Sequence, residues 1–220
     1  MKSKLISGIK KYSSTAALTI LISGIHQVAQ AGVIPYPNSG SYNSVPYTFT
    51  AAATGDITAY IVGGFGAGYD NQMGLEVNGI LRSVGGNTWF LKNHGSAYGD
   101  SIDFGAVTAG DTLVFVLHNN TVRMNAYSDP SLNVAYDNST YTGGHNHIYS
   151  TSFSGDSIVP AGTYVAFEDL QFPDSDYNYN DESFVFTNVR GNNPVPEPTT
   201  MLLFGTGLVG LAGLIRRKRA

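Results

Sequence analysis

Between residues 32 and 190 hydrophobic and polar positions alternate over short stretches, and turn residues interrupt each stretch before a helical period can develop. The strand-like runs are Tyr47–Thr50, Asp56–Val62, Met73–Val77, Thr88–Leu91, Thr112–Leu117, Tyr164–Phe167 and Ser183–Thr187. Within them Leu113-Val114-Phe115-Val116-Leu117 is apolar without a break, which predicts a strand buried on both faces. Gly63-Gly64, Gly85-Gly86 and Gly143-Gly144 provide the positive φ angles of tight turns. The pattern predicts an all-β domain over residues 32–190, an antiparallel β-sandwich of jelly-roll-like kind. Its first residues, rich in Pro, Asn, Ser and Tyr, read as a lead-in, and residues 191–198 as an extended linker.

Two apolar stretches outside this domain lack such breaks. At the front, Lys2, Lys4, Lys10 and Lys11 precede the apolar run Ala16–Ile25 and the small-x-small site Ala29-Gln30-Ala31. That order predicts a signal peptide over residues 1–31 and a mature chain starting at Gly32. At the rear, Val195-Pro196-Glu197-Pro198 is followed by the uncharged run Met201–Ile215 and by Arg216-Arg217-Lys218-Arg219. The run has 15 residues, where roughly 20 span a bilayer comfortably. Bilayer thinning and flanking cationic side chains make up the difference, and the basic cluster fixes that end in the cytoplasm.

A Pro-Glu-Pro signature, a short hydrophobic span and a terminal basic cluster resemble, in that order, the PEP-CTERM protein-sorting signal. The resemblance covers the last 26 residues. It implies export by a Gram-negative bacterium and transient anchoring in the inner membrane by residues 199–220. Processing by an exosortase and arrival at the outer surface or exterior would follow. The partners it implies are that exosortase and the export machinery.

Setting both ends aside changes the charge. The whole chain is −4, but Gly32–Val195 contains 15 Asp or Glu against four Lys or Arg, hence −11. Such a domain disfavours nucleic acid and suits either bound cations or plain solubility. The chain has no Cys, which excludes disulfides and thiolate metal sites.

Acidic residues are densest in one segment. Glu168, Asp169, Asp174, Asp176 and Asp181 lie with Asn178 and Asn180 between two strand-like runs. Like charges this close repel unless a cation sits among them. Oxygen-only donors on a loop suit Ca²⁺, which takes six to eight of them. The candidate ligands are Glu168, Asp169, Asp174, Asp176, Asn178 and Asp181. The spacing Asp174, Asp176, Asn178 is like the start of an EF-hand loop, but Tyr179 stands at the sixth position and Val185 at the twelfth, so an EF-hand is rejected. The other reading is a solvated Asp/Asn turn, for which both residue types are suited.

The pairing of Ala166-Phe167-Glu168-Asp169 with Asp176-Tyr177-Asn178-Tyr179-Asn180-Asp181-Glu182-Ser183-Phe184 also resembles a domain of unknown function common in exported bacterial proteins. The run Tyr127–Asn133 with His145 or His147 resembles the middle of that domain. In this chain Asn178 replaces the usual Asp, and Glu182-Ser183 stand where the family is apolar. The resemblance implies an all-β fold and a Ca²⁺ site, with no established activity.

Other candidates carry less. Gly144-His145-Asn146-His147 reads as a polar loop or as part of a transition-metal site needing further ligands. Gly63–Gly68 lacks the Lys and helix of a phosphate loop, and Asp70-Asn71 after it reads as a turn. No Gly-x-Ser-x-Gly or His-Glu-x-x-His motif occurs. Trp89 and the many Tyr and Phe residues could stack on sugars, though most belong to strands. The sequence therefore predicts a Ca²⁺-stabilised structural or binding protein of the cell surface or extracellular matrix, not an enzyme, with extracellular polysaccharide as a possible ligand. The alternative is a secreted carbohydrate-active hydrolase using paired carboxylates.

Overall fold

Among the residues described by the computed structural model, 33–137 and 144–192, strand dominates. The expected signal peptide lies outside them, as do Val195-Pro196-Glu197-Pro198 and the apolar run with its Arg216-Arg217-Lys218-Arg219 stop. Among the described residues no helix is long and apolar enough to cross a membrane.

The strands are β1 (Phe49–Ala51), β2 (Gly55–Gly63), β3 (Asn71–Val77), β4 (Ile80–Leu81), β5 (Ser101–Val107) and β6 (Thr112–Asn119), followed by β7 (Met124–Tyr127), β8 (Ile148–Phe153), β9 (Gly162–Phe167), β10 (Glu182–Phe186) and β11 (Val189–Gly191). One sheet runs β11-β1-β6-β3-β4, with β7 also paired to β6, and the other runs β5-β2-β10-β9-β8. All pairings are antiparallel. The antiparallel β-sandwich expected from the hydrophobic pattern is present.

Period-two alternation supplies the core, because alternate side chains of a strand share one face. Phe49, Leu75, Leu113, Phe115 and Leu117 from the first sheet meet Ile57, Ile61, Val165, Phe167, Phe184 and Phe186 from the second. Phe115 stacks on Phe186 across the gap, with centroids 3.9 Å apart and planes 17° from parallel. The second sheet is also covered on its outer face. There Val62, Phe153, Val159, Tyr164 and Val185 pack with Tyr36 from the lead-in and Tyr179 from the acidic loop. Burial on both faces is therefore most complete in β10, where all five residues are buried. In β6 the expected double burial holds at Leu113 and Phe115–Leu117, while Val114 is half-buried.

Several elements depart from the pattern. Thr88–Leu91 makes an isolated bridge in place of a strand: Met73 and Phe90 exchange backbone hydrogen bonds of 2.7 and 2.8 Å. Trp89 then lies over Gly74, where a Cβ would come within 2.6 Å of the indole. Strands β4, β5, β7, β8 and β11 arise outside the expected strand-like runs, although Ile102 and Phe104 of β5 do alternate with Ser101 and Asp103. β8, Ile148–Phe153, is largely Tyr, Ser and Thr, and its pairing with β9 and the aromatic cover above it hold it in place. β11 includes Gly191, so the sandwich extends one residue into the expected linker.

Phe115 is fully buried and Ile80 is 71% exposed. Phe115→Ala is expected to lower unfolding free energy by about 3–5 kcal/mol, and Ile80→Ala by no more than about 0.5 kcal/mol. Urea denaturation of the two variants checks the difference.

Candidate functional site

The acidic segment is the connection between β9 and β10, and their register fixes its mouth. Phe167 pairs with Glu182, the Asp181 N–H donates to the Phe167 carbonyl at 3.1 Å, and the Glu168 N–H donates to the His147 carbonyl at 2.9 Å. Glu168 and Asp169 are thereby brought opposite Asp181 and Glu182.

Short side chains shape the rest of the loop. The Asn178 N–H and Nδ2 donate to the two Asp176 oxygens at 3.1 and 2.7 Å, and the Asn180 N–H donates to Asn178 Oδ1 at 3.0 Å. These bonds are the Asx turns for which Asp and Asn are suited. Tyr177 and Tyr179 take φ of 53° and 52°, which aims the Tyr179 ring inward. That ring is buried, and its hydroxyl accepts from the Asn43 N–H at 2.9 Å. Tyr179 thus anchors the loop at the position where an EF-hand has Gly.

The six predicted ligands fall into two groups and one outlier. In the first group Glu168 is buried, and its carboxylate accepts weakly from the Asn178 and Leu170 N–H groups at 3.3 and 3.4 Å. Burial, and then the neighbouring Asp176 charge, push the Glu168 carboxyl up to about 7. In the second group Asp169 Oδ2 accepts from Asn71 Nδ2 at 2.6 Å, and the Asp169 N–H donates to Asp181 Oδ2 at 2.9 Å. Burial, and then the Asp169 charge, push Asp181 up to about 8, and burial also raises Asp169. Asp174 is exposed, and no hydrogen bond ties its side chain to either group. Among the described residues no three His, Asp or Glu side chains converge as a preformed metal cage.

Three neighbours escaped the sequence reading. Asn71 is the fully buried first residue of β3, not part of an exposed turn, and it reaches Asp169 across 98 positions of sequence. Asp70 precedes it. Glu182 is fully buried at the start of β10, and burial, followed by the charges of Asp169, Asp70 and Asp181, raises its pKa well above the usual range. Asp70 Oδ1, Asn71 Oδ1 and both Glu182 oxygens are buried without a hydrogen-bond partner. Each such atom costs about 1–3 kcal/mol. A carboxylate just before the apolar Phe184-Val185-Phe186 was the visible signal for Glu182.

The two histidines are accounted for by Asp137. Its Oδ1 accepts from His147 Nε2 at 2.7 Å, and its Oδ2 accepts from the His145 N–H at 2.7 Å, with His145 Nδ1 at 3.2 Å. His145 also stacks on Phe172, with centroids 3.8 Å apart. Burial works to raise the Asp137 pKa, but the His147 hydrogen bond and charge, with the His145 and Phe172 N–H groups, bring it down to about 2.

A family model, the PEP-CTERM protein-sorting motif, matches residues 194–219. The chain carries this sorting motif. A PEP-CTERM chain is an exported one, anchored through its C-terminal segment and then processed by an exosortase. The matched segment contains Val195-Pro196-Glu197-Pro198 and the basic Arg216-Arg217-Lys218-Arg219. No curated protein and no solved structure matches the chain.

The site sets the pH response of the metal-free protein. Glu168 and Asp181 have folded values above their ordinary 4.5 and 3.8, so the stability linked to them is complete below those values and is lost as pH rises toward about 8. Asp137 works in the opposite sense, losing stability as pH falls from 3.8 to about 2. In EDTA the melting temperature should peak near pH 4–5 and fall by roughly 5 °C by pH 8. Glu168→Gln should flatten the upper limb, which calorimetry at several pH values measures.

Proposed function

We propose that this exported, exosortase-processed chain is a structural or binding module of the outer cell surface or extracellular matrix, with an acidic loop stabilised by Ca²⁺. The observation that carries this reading is the loop mouth. There the β9–β10 register brings Glu168 and Asp169 opposite Asp181, with Asp176 on the loop above them, although burial and neighbouring negative charge favour protons on Glu168, Asp169 and Asp181. A divalent cation relieves the same repulsion at neutral pH. The donors fit Ca²⁺ because all are oxygens, and its six to eight ligands can be drawn from flexible loops and water.

Glu168, Asp176 and Asn178 would form the outer part of that site, with Asp169 and Asp181 behind them and Asp174 as the exposed donor on the same loop. A loop carrying one Asn among its carboxylates suits an extracellular affinity of about 10⁻⁴–10⁻³ M. The role in this reading is holding, with Glu168 and Asp181 tied down by backbone N–H groups of their own loop. A surface glycan is the matching partner. Trp89 stacks on His118 at 4.4 Å, beside a cleft of about 410 Å³ that Asn125 and Tyr127 also line. An indole flanked by polar side chains suits a sugar ring.

About 1 mM Ca²⁺ should stabilise the full-length chain in detergent by roughly 0.4–1.4 kcal/mol over EDTA, a shift of a few degrees. Asp176→Ala should abolish the gain, and an unchanged gain would count against the loop. Mass spectrometry of surface-released protein should find Met201–Ala220 removed. A released form that still carries it would overturn exosortase processing.

A further inference from the structure

We infer that a second site for a hard divalent cation lies behind the acidic loop, at the start of β3 and β10, with Glu182, Asn71 and Asp70 as its ligands. The four orphaned buried atoms are Glu182 Oε1 and Oε2, Asn71 Oδ1 and Asp70 Oδ1. All four are oxygens, and all lack donors. Protonating Glu182 repairs only part of the fault: its single hydroxyl can donate to Asn71 Oδ1 or to Asp70 Oδ1, and leaves the other, with its own second oxygen, without a donor. A cation bound between them would accept lone pairs from all of these atoms.

Contacts tie Asn71 and Asp70 to their neighbours, and Glu182 follows Asp181 directly at the start of β10. Asn71 Nδ2 is committed to Asp169 Oδ2 at 2.6 Å, which fixes its Oδ1 as the free end. Asp70 Oδ2 faces Lys92 Nζ at 3.7 Å near the surface, while its Oδ1 is buried. Asp169, Asp70 and Asp181 are the charges that act on Glu182. Two carboxylates and one carboxamide are fewer acidic ligands than a preformed cage shows, so backbone carbonyls or waters complete the shell.

Charge counts point the same way. Glu168, Asp169, Asp174, Asp176 and Asp181 belong to the loop, and Asp70 and Glu182 add two carboxylates at its rear. One divalent ion in the loop leaves most of that charge unbalanced. Gly64, with φ of +97°, lets its backbone lie directly against Asp181 and Glu182: a Cβ there would fall 2.2 Å from the Asp181 carbonyl oxygen, so the start of β10 is held tightly in place. An open cleft runs between the Gly64–Gly68 loop and Asn180–Asp181. Donors made only of carboxylate and carboxamide oxygen select Ca²⁺ over softer metals.

The site is separable from the loop reading above by paired variants. Calcium alone is titrated calorimetrically into the full-length chain in detergent, after EDTA treatment, for the wild type, Glu182→Gln and Asp176→Asn. The expected result is two Ca²⁺ per wild-type chain and one per Glu182→Gln chain, with the interior affinity lowered at least tenfold. Asp176→Asn should keep the interior ion. In EDTA, Glu182→Gln should melt no lower than the wild type, since it removes a buried repulsion. Wild-type binding of a single ion that Glu182→Gln leaves intact and Asp176→Asn abolishes would overturn the interior site and keep the loop. No binding by the wild type would overturn both. Should Glu182→Gln fail to fold, Asp70→Asn carries the comparison: interior affinity reduced threefold or more supports the site, and unchanged affinity rejects it.

Discussion

Strand β10 is walled in on every side, and the acidic end of the molecule is arranged around that constraint. It pairs with β2 along one edge and β9 along the other, and both of its faces are covered. Phe184 and Phe186 fill the space between the sheets, while Val185 lies in the outer cluster under Tyr36 and Tyr179. A strand so enclosed has no solvent outlet for a polar side chain. Ser183 meets this with a hydrogen bond from the Tyr164 hydroxyl at 3.0 Å. Glu182, one residue earlier, has no such answer. Conflict between a rigid apolar strand and the carboxylates at its entrance is what makes this end of the sandwich chemically distinctive.

The hydrophobic pattern revealed the fold where packing is apolar. Leu113–Leu117 and Phe184–Phe186 could be read directly, because burial on both faces needs uninterrupted aliphatic or aromatic positions. β8 could not, since Tyr149, Ser150, Thr151 and Ser152 have no apolar alternation. Its place is set by pairing with β9 and by distant groups such as Asn43, whose Nδ2 donates to the Ile148 carbonyl at 2.9 Å. Thr88–Leu91 misled in the other direction: its β-favouring residues serve to lay Trp89 across Gly74.

The candidate site was legible to a similar degree. Acidic density and Asx spacing marked the loop, and Asx turns are what form there. The partition of its carboxylates into an outer and an inner group was not legible. It depends on the register that sets Glu182 opposite Phe167 and on Asn71 arriving from another sheet. Neither is a local property of sequence.

The first and last strands of the sandwich are neighbours. Phe49 of β1 faces Gly191 of β11, and the Asn192 N–H donates to the Thr48 carbonyl at 3.0 Å. β11 is a three-residue edge strand whose further ties are at Val189, which packs on the core and accepts from Thr163 Oγ1 at 3.0 Å, and only Thr187 and Asn188 separate it from β10. Tension applied beyond Asn192 would therefore not be shared across the sheet. It would strip β11 from β1 one pair at a time, like a zip opened from its end, and then act directly on the aromatic centre of the domain. For a chain tethered through its C-terminal side, mechanical resistance thus begins with the short β1–β11 seam and ends at Phe186.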